Sequence, residues 1–198
     1  MTEEDREIPE ERIYFFDEQG VAVEDFDAEG YILDIGGGGE GIIGRLKGEQ
    51  VIAIDPNRRE LVDGPPGPLK IVMDATDLQF LEETFATVTS FFTLIYVKGF
   101  EHERVVEEVF RVLKPGGRFL IWDVDLPLCL DEHKDVAAVP IIVKLPNETV
   151  STGYGAPWPE FEQDLGYYIA LVRRVGFEVV EKSQEGRVFF LGLRKPAS

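Results

Sequence analysis

The segment Ile32–Leu46, I-L-D-I-G-G-G-G-E-G-I-I-G-R-L, constrains the fold more than any other part of the chain. An apolar run ends in an acid, passes into a glycine cluster and re-emerges as the apolar start of a helical pattern. Glycines at such a junction let the chain turn tightly from strand to helix, and they let a ligand touch backbone where a Cβ would collide. A flexible linker is the plain alternative, but linkers are not bracketed by a buried strand and an apolar helix start. The loop reads as a binding site.

The rest of the middle section repeats this strand-then-helix design. Tyr31–Asp34, Val51–Asp55 and Lys70–Asp74 are short apolar runs ending in an acid, and Phe85–Leu94 and Arg118–Val124 supply two more. Runs without polar alternation suit strands buried on both faces of a parallel sheet. In Glu103–Leu113, Val105, Val106, Val109, Phe110, Val112 and Leu113 fall on one helical face, and Lys114–Gly117 stops the pattern. Asp164–Val175 predicts another helix, ended by Gly176. Phe177–Lys182 and Arg187–Arg194 are strand-like with too short a gap for a crossover, so they predict an antiparallel hairpin. The expectation is an α/β fold: a doubly wound, mainly parallel seven-stranded sheet ending in that hairpin. The Gly64–Pro68 stretch, G-P-P-G-P, reads as a rigid surface connector.

Composition narrows the function. The 198 residues form one domain's worth of chain, 44% of it hydrophobic. A net charge of −18 repels phosphate backbones, which makes nucleic acid a poor partner. One cysteine, Cys129, and two histidines, His102 and His133, do not suffice for a Cys- or His-rich metal centre, so no metal is expected. The acidic start, Met1–Glu11, lacks the features of a secretory signal, and no run is apolar enough to span a membrane. Cytoplasm is the default compartment.

Two ligand classes fit the glycine loop. Gly36, Gly38 and Gly41 satisfy G-x-G-x-x-G, and Asp55 lies 19 residues beyond Gly36, where a ribose-binding acid belongs. An NAD(P)-dependent oxidoreductase is therefore one reading. Against it, Asp34 would face a pyrophosphate at the strand end, whereas it suits the ammonium group of an amino-acid ligand. A cationic, phosphate-free nucleoside fits better.

In this region the chain resembles the class I S-adenosylmethionine-dependent methyltransferases, especially small-molecule enzymes of the ubiquinone/menaquinone-biosynthesis type. L-D-I-G-G-G-G-E-G is similar to that family's first motif, V-I-A-I-D-P to the second, M-D-A-T-D-L-Q-F to the third, and R-V-L-K-P-G-G-R-F-L-I to the segment entering the fifth strand. The likeness covers roughly residues 30 to 125 and implies a Rossmann-like methyltransferase fold with S-adenosyl-L-methionine as cofactor. It assigns Asp34, Gly36, Gly37 and Gly38 to the methionine part, with Ser90 and Phe91 near it. Asp55, followed by Pro56, would take the ribose hydroxyls, and Asp74 with the Ala75 backbone would read the adenine. Charge and geometry agree, since a carboxylate can accept from a vicinal diol or an exocyclic amine. Helix capping before Pro56 is the plain role for Asp55, and a turn is the plain role for Asp74. The family often has glycine where Glu40 stands, so the loop here is expected to be one residue longer.

The segment Thr89–His102 should face the acceptor, and it lacks the Pro-Pro-Tyr signature of adenine N-methylation in nucleic acid. His102 is the candidate catalytic base there, with a solvent-exposed place in the first turn of a helix as the alternative. The expected partner is a small-molecule methyl acceptor. A methyltransferase-like protein that binds the nucleoside without catalysis is the rival from another class.

Two stretches lie outside the alternation. Residues 1–30 form an N-terminal extension with an expected hairpin over Arg12–Phe26. Residues 131–160 are too many for a connection, and Val136–Val143 with Glu148–Thr152 suggests a β-rich flap over the nucleoside site. A decorative insertion, or a contact in a homodimer, is the alternative for this segment.

Overall fold

A computed structural model describes residues 8–129 and 131–197; the first seven residues of the acidic start lie outside it. The chain builds two sheets. The larger has seven strands in the order β10-β11-β7-β6-β3-β4-β5. Here β3 is Ile32–Ile35, β4 Val51–Asp55, β5 Leu69–Val72, β6 Phe85–Phe91 and β7 Leu113–Val124, all parallel. At the far side β10 (Glu178–Glu185) and β11 (Val188–Arg194) form the expected hairpin, with β11 antiparallel to β7. Glu185 pairs with Val188, so the turn is tighter than the sequence suggests, two residues with Gly186 in a left-handed conformation. The strand order reverses between β3 and β6, which opens a crevice at their carboxyl ends.

Helices α3 (His102–Val112) and α4 (Leu165–Val175) cover one face. Val105, Val106, Val109 and Val112 of α3 are fully buried there, each contributing about 1.5–3 kcal/mol by leaving water. Asp164 caps α4 by accepting from Tyr167 N–H, and Gly176, at φ 118°, ends it. On the opposite face lie the short helices α1 (Ile42–Lys47) and α2 (Arg58–Asp63). The Gly64–Pro68 connector does more than link: Pro65 and Pro68 pack so closely on Gly41 and Gly44 that an added Cβ would lie 2.5 Å and 2.7 Å away.

The second sheet completes that face. Its strands are β1 (Ile13–Phe15), β2 (Gln19–Ala22), β8 (Val136–Lys144) and β9 (Thr149–Pro157). The hairpin expected over Arg12–Phe26 does not form. Instead β1 and β2 each run parallel to β8, at Val136–Ala138 and Ile141–Lys144, as one interrupted edge strand. The interruption faces Val139 and Pro140, and proline offers no N–H for a ladder. The antiparallel pair expected within 131–160 does form, as β8 with β9. It is a packed layer rather than a loose flap, because Ala137, Val139, Ile141 and Val143 are buried in one cluster with Leu120, Trp122 and Phe91 of the large sheet. No helix among the described residues is long and apolar enough to cross a membrane.

Candidate active site

A cavity of about 590 Å³ lies at the crevice, where the ends of β3, β4, β5 and β6 meet the glycine loop, α2 and β9. Its floor is Asp34, the third residue of β3. The carboxylate is buried, and its Oδ1 accepts from Thr89 Oγ1 at 2.7 Å. Burial raises its pKa from 3.8 to about 7. The loop follows at once. Gly36 has φ +68°, and a Cβ there would lie 2.3 Å from the Thr93 side chain, so only glycine fits between β3 and the turn after β6. Thr93 itself is anchored by donating to the Ile35 carbonyl at 3.0 Å.

Asp55 closes β4. Its Oδ1 accepts from Asn57 N–H at 2.7 Å, and Gly38 N–H also bonds to the carboxylate. Burial nonetheless raises its pKa above the ordinary value. The N-cap of α2 is Asn57, which accepts from Arg59 N–H, so the capping alternative for Asp55 gives way to a role in holding the loop. Glu60 of α2 reaches the same wall beside Gly38 and Gly39, and burial raises its carboxyl too, with Asp55 adding to the effect.

Asp74 lies just beyond β5 and accepts from both the N–H and the hydroxyl of Thr76 at 2.8 Å, so it does shape a turn while lining the cavity with Ala75. That turn is tied to α3. Arg104 Nε donates to the Thr76 carbonyl, Arg111 donates to the carbonyls of Leu78 and Phe80, and buried Glu108 accepts from Leu78 N–H. Hydrogen bonding from Arg111 holds the Glu108 carboxyl below the ordinary range.

Of the residues singled out in the sequence, Asp34, Gly36, Gly37, Gly38, Asp55, Pro56, Asp74, Ala75 and Phe91 line this one cavity. Two do not. Ser90 is fully buried in β6 on the face of Val88, toward α3 and α4, because side chains alternate along a strand. His102 is not a solvent-exposed first-turn residue but is fully buried. Its Nε2–H donates to the Leu94 carbonyl at 2.9 Å, and Nδ1 accepts from the Tyr167 hydroxyl at 2.9 Å. Both nitrogens are used, burial lowers the pKa, and the ring lies outside the cavity, so His102 is corrected from base to structural anchor.

Further lining residues come from the segment expected to face the acceptor and from the second sheet. Phe92, Thr93 and Tyr96 follow β6, and Gly153 and Tyr154 come from β9. Another buried acid, Asp123 at the end of β7, accepts from Leu94 N–H at 3.0 Å and from Val124 N–H, and so holds the Leu94–Tyr96 turn. Burial raises its pKa to about 7. The W-D-V-D sequence around it offered no pattern that marks such a role.

Among the described residues six acids line the cavity, Asp34, Glu40, Asp55, Glu60, Asp74 and Glu101, and no lysine or arginine does. Such a lining repels a pyrophosphate and attracts a cation. S-adenosylmethionine, which is cationic and phosphate-free, fits this donor set. Residues 33–121 match the family model of a methyltransferase domain. No curated protein matches the chain in sequence. Solved structures do resemble it. A SAM-dependent methyltransferase of Methanosarcina mazei is 19% identical with a TM-score of 0.60, over 87% of this chain and 95% of that one. An S-adenosylmethionine-dependent methyltransferase of Mesorhizobium loti is 16% identical with a TM-score of 0.57, over 83% and 90%. Phosphoethanolamine N-methyltransferase 2 of Haemonchus contortus, in complex with S-adenosyl-L-methionine, is 14% identical with a TM-score of 0.62, over 87% of this chain but 50% of that one. At these identities the likeness fixes the fold. The fold is that of S-adenosylmethionine-dependent methyltransferases, and the residues that match a methyltransferase domain, 33–121, are those that carry the glycine loop, Asp55 and Asp74.

Proposed function

We propose that the protein methylates a small molecule held in this cavity. The supporting observation is the cavity itself: carboxylates at the ends of three neighbouring strands around a glycine turn, and no basic side chain among the described residues of the lining. When bound, S-adenosylmethionine supplies an electrophilic methyl group, which the acceptor's lone pair takes as the sulfur–carbon bond breaks and leaves its electron pair on sulfur. The chain's own part is binding and alignment. Asp34 would balance the ammonium, Asp55 would accept from the ribose hydroxyls, and Asp74 with the Ala75 backbone would read the adenine. Phe92, Tyr96 and Tyr154 wall off the other end, where exclusion of water and alignment can contribute several kcal/mol to transfer. The enclosed volume of about 590 Å³ suits a cofactor and a small acceptor better than a polymer.

A thermal-shift comparison tests this reading. S-adenosylmethionine and S-adenosylhomocysteine should raise the unfolding temperature increasingly as their concentration passes Kd, while NAD and NADP should not. Asp55→Ala should weaken S-adenosylhomocysteine binding by about 1.5–3 kcal/mol, the range for hydrogen bonds to a charged group. Preferential stabilisation by NAD would overturn the methyltransferase reading. Unchanged affinity in the variant would overturn the ribose role of Asp55. Cofactor binding without transfer to any acceptor would favour a non-catalytic binding protein.

A further inference from the structure

The end of the cavity away from Asp55 and Asp74 has a different chemistry. Phe92 leaves β6 with φ +48°, a left-handed conformation that a bulky residue adopts only under constraint. The constraint is visible: Phe92 N–H donates to the Trp122 carbonyl at 2.8 Å, and its ring stacks on Tyr154, with centroids 4.7 Å apart and planes 17° from parallel. Tyr96 stands alongside, its hydroxyl accepting from Gly155 N–H at 3.2 Å, so β9 fixes both tyrosines. Glu40 completes the group. It occupies the place after Gly39 in the loop and accepts from the Thr152 hydroxyl of β9 with one carboxylate oxygen. Burial pushes the Tyr96 phenol up to about 12 and that of Tyr154 higher still, so both remain neutral rings.

An anionic acceptor would meet Glu40 and Asp34 here, with no cation among the described lining residues to offset them. A neutral alcohol would gain little from the aromatic faces. An ammonium gains from both, because the ring faces and the carboxylate each attract positive charge in a partly desolvated space. We propose that this end of the cavity is the acceptor subsite and that it takes an amine that arrives protonated, held against Tyr96 and Tyr154 with Glu40 as counter-charge; the ammonium passes its proton to the Glu40 carboxylate, which frees the lone pair that takes the methyl. The acceptor role rests on the methyltransferase reading; the preference for a cation rests on Glu40 and the rings alone.

The test is calorimetric titration with choline and with dimethylbutanol, its neutral carbon isostere, each with and without saturating S-adenosylhomocysteine. Choline should bind about ten-fold more tightly than the alcohol, as expected for a cation against aromatic faces. Tyr154→Leu and Glu40→Gln should each remove most of that preference while S-adenosylhomocysteine still binds. Equal affinity for the two isosteres, or a preference unchanged in both variants, would overturn the proposal. Failure of S-adenosylhomocysteine to bind would overturn the cofactor reading instead, and the titrations without it would still decide the cation preference.

Discussion

Asp34 offers the sharpest test, because its burial sets both a direction and a pH window. The side chain is 2% exposed with Thr89 as its hydrogen-bond donor, and burial places its pKa at about 7 rather than 3.8. Below about pH 7 the free protein therefore holds Asp34 largely protonated, whereas an ammonium group beside it favours the carboxylate. A ligand that brings an ammonium must displace that proton, so affinity should rise up to about ten-fold per pH unit between about pH 5 and about pH 7, then level off. Over that window the gain reaches at most about 100-fold, or about 2.7 kcal/mol. Calorimetry of S-adenosylhomocysteine in two buffers of different ionisation heat reads the same event as about one proton released near pH 6. Asp34→Asn should weaken binding and abolish both the slope and the proton release. Stability without ligand should run the other way. A carboxyl whose folded pKa lies above its unfolded one binds its proton in the folded state. Its contribution is thus fully present below about pH 4 and is lost as pH rises to about 7. Affinity that stays flat across the window, or a slope that persists in Asp34→Asn, would refute the placing of a cationic group beside this carboxylate.

Gly36→Ala should destabilise the protein by about 1–3 kcal/mol in urea unfolding, since alanine is strained at φ +68° and its Cβ would overlap Thr93; wild-type stability would show that the loop has another conformation. His102→Ala leaves the Leu94 carbonyl and the Tyr167 hydroxyl without their partner and should cost about 1–3 kcal/mol. If His102 were instead a base, the variant would keep its stability and lose only the pH dependence of transfer. Replacing residues 134–156 with a short Gly-Ser linker should yield an unfolded or aggregating chain, because it removes five buried side chains that share a cluster with Trp122 and Leu120; a soluble, cooperatively folding product would show that the second sheet is dispensable. Duplex DNA and tRNA should not shift in a gel titration at physiological salt, given a net charge of −18.

The parallel strands of the large sheet and the glycine loop were legible because local patterns carry them. A strand buried on both faces must be apolar along its length, so β4 could be read residue for residue, and β3 and β6 to within a few residues at each end. A glycine turn at a strand's end and an acid at the next strand's end must then meet at one sheet edge, whatever surrounds them, which is why Asp34, Gly36, Asp55 and Asp74, named from the motif resemblance and, for Asp55, from spacing, line one cavity. Pairing across long loops is another matter. Nothing local tells β1 and β2 to flank β8 rather than each other; that choice depends on where Pro140 interrupts the ladder and on which face of the large sheet lies uncovered. His102 and Ser90 were misplaced for a related reason, since adjacency in sequence does not say which side of a strand or helix faces a cavity. Glu40 and Tyr154 show the same division. The sequence by itself determined that an acid interrupts the glycine loop and that an aromatic lies in a distant strand-like run. Only the packing of the second sheet on the first decided that they would meet, because burying Val139 and Ile141 against Trp122 brings β9 to the mouth of the crevice.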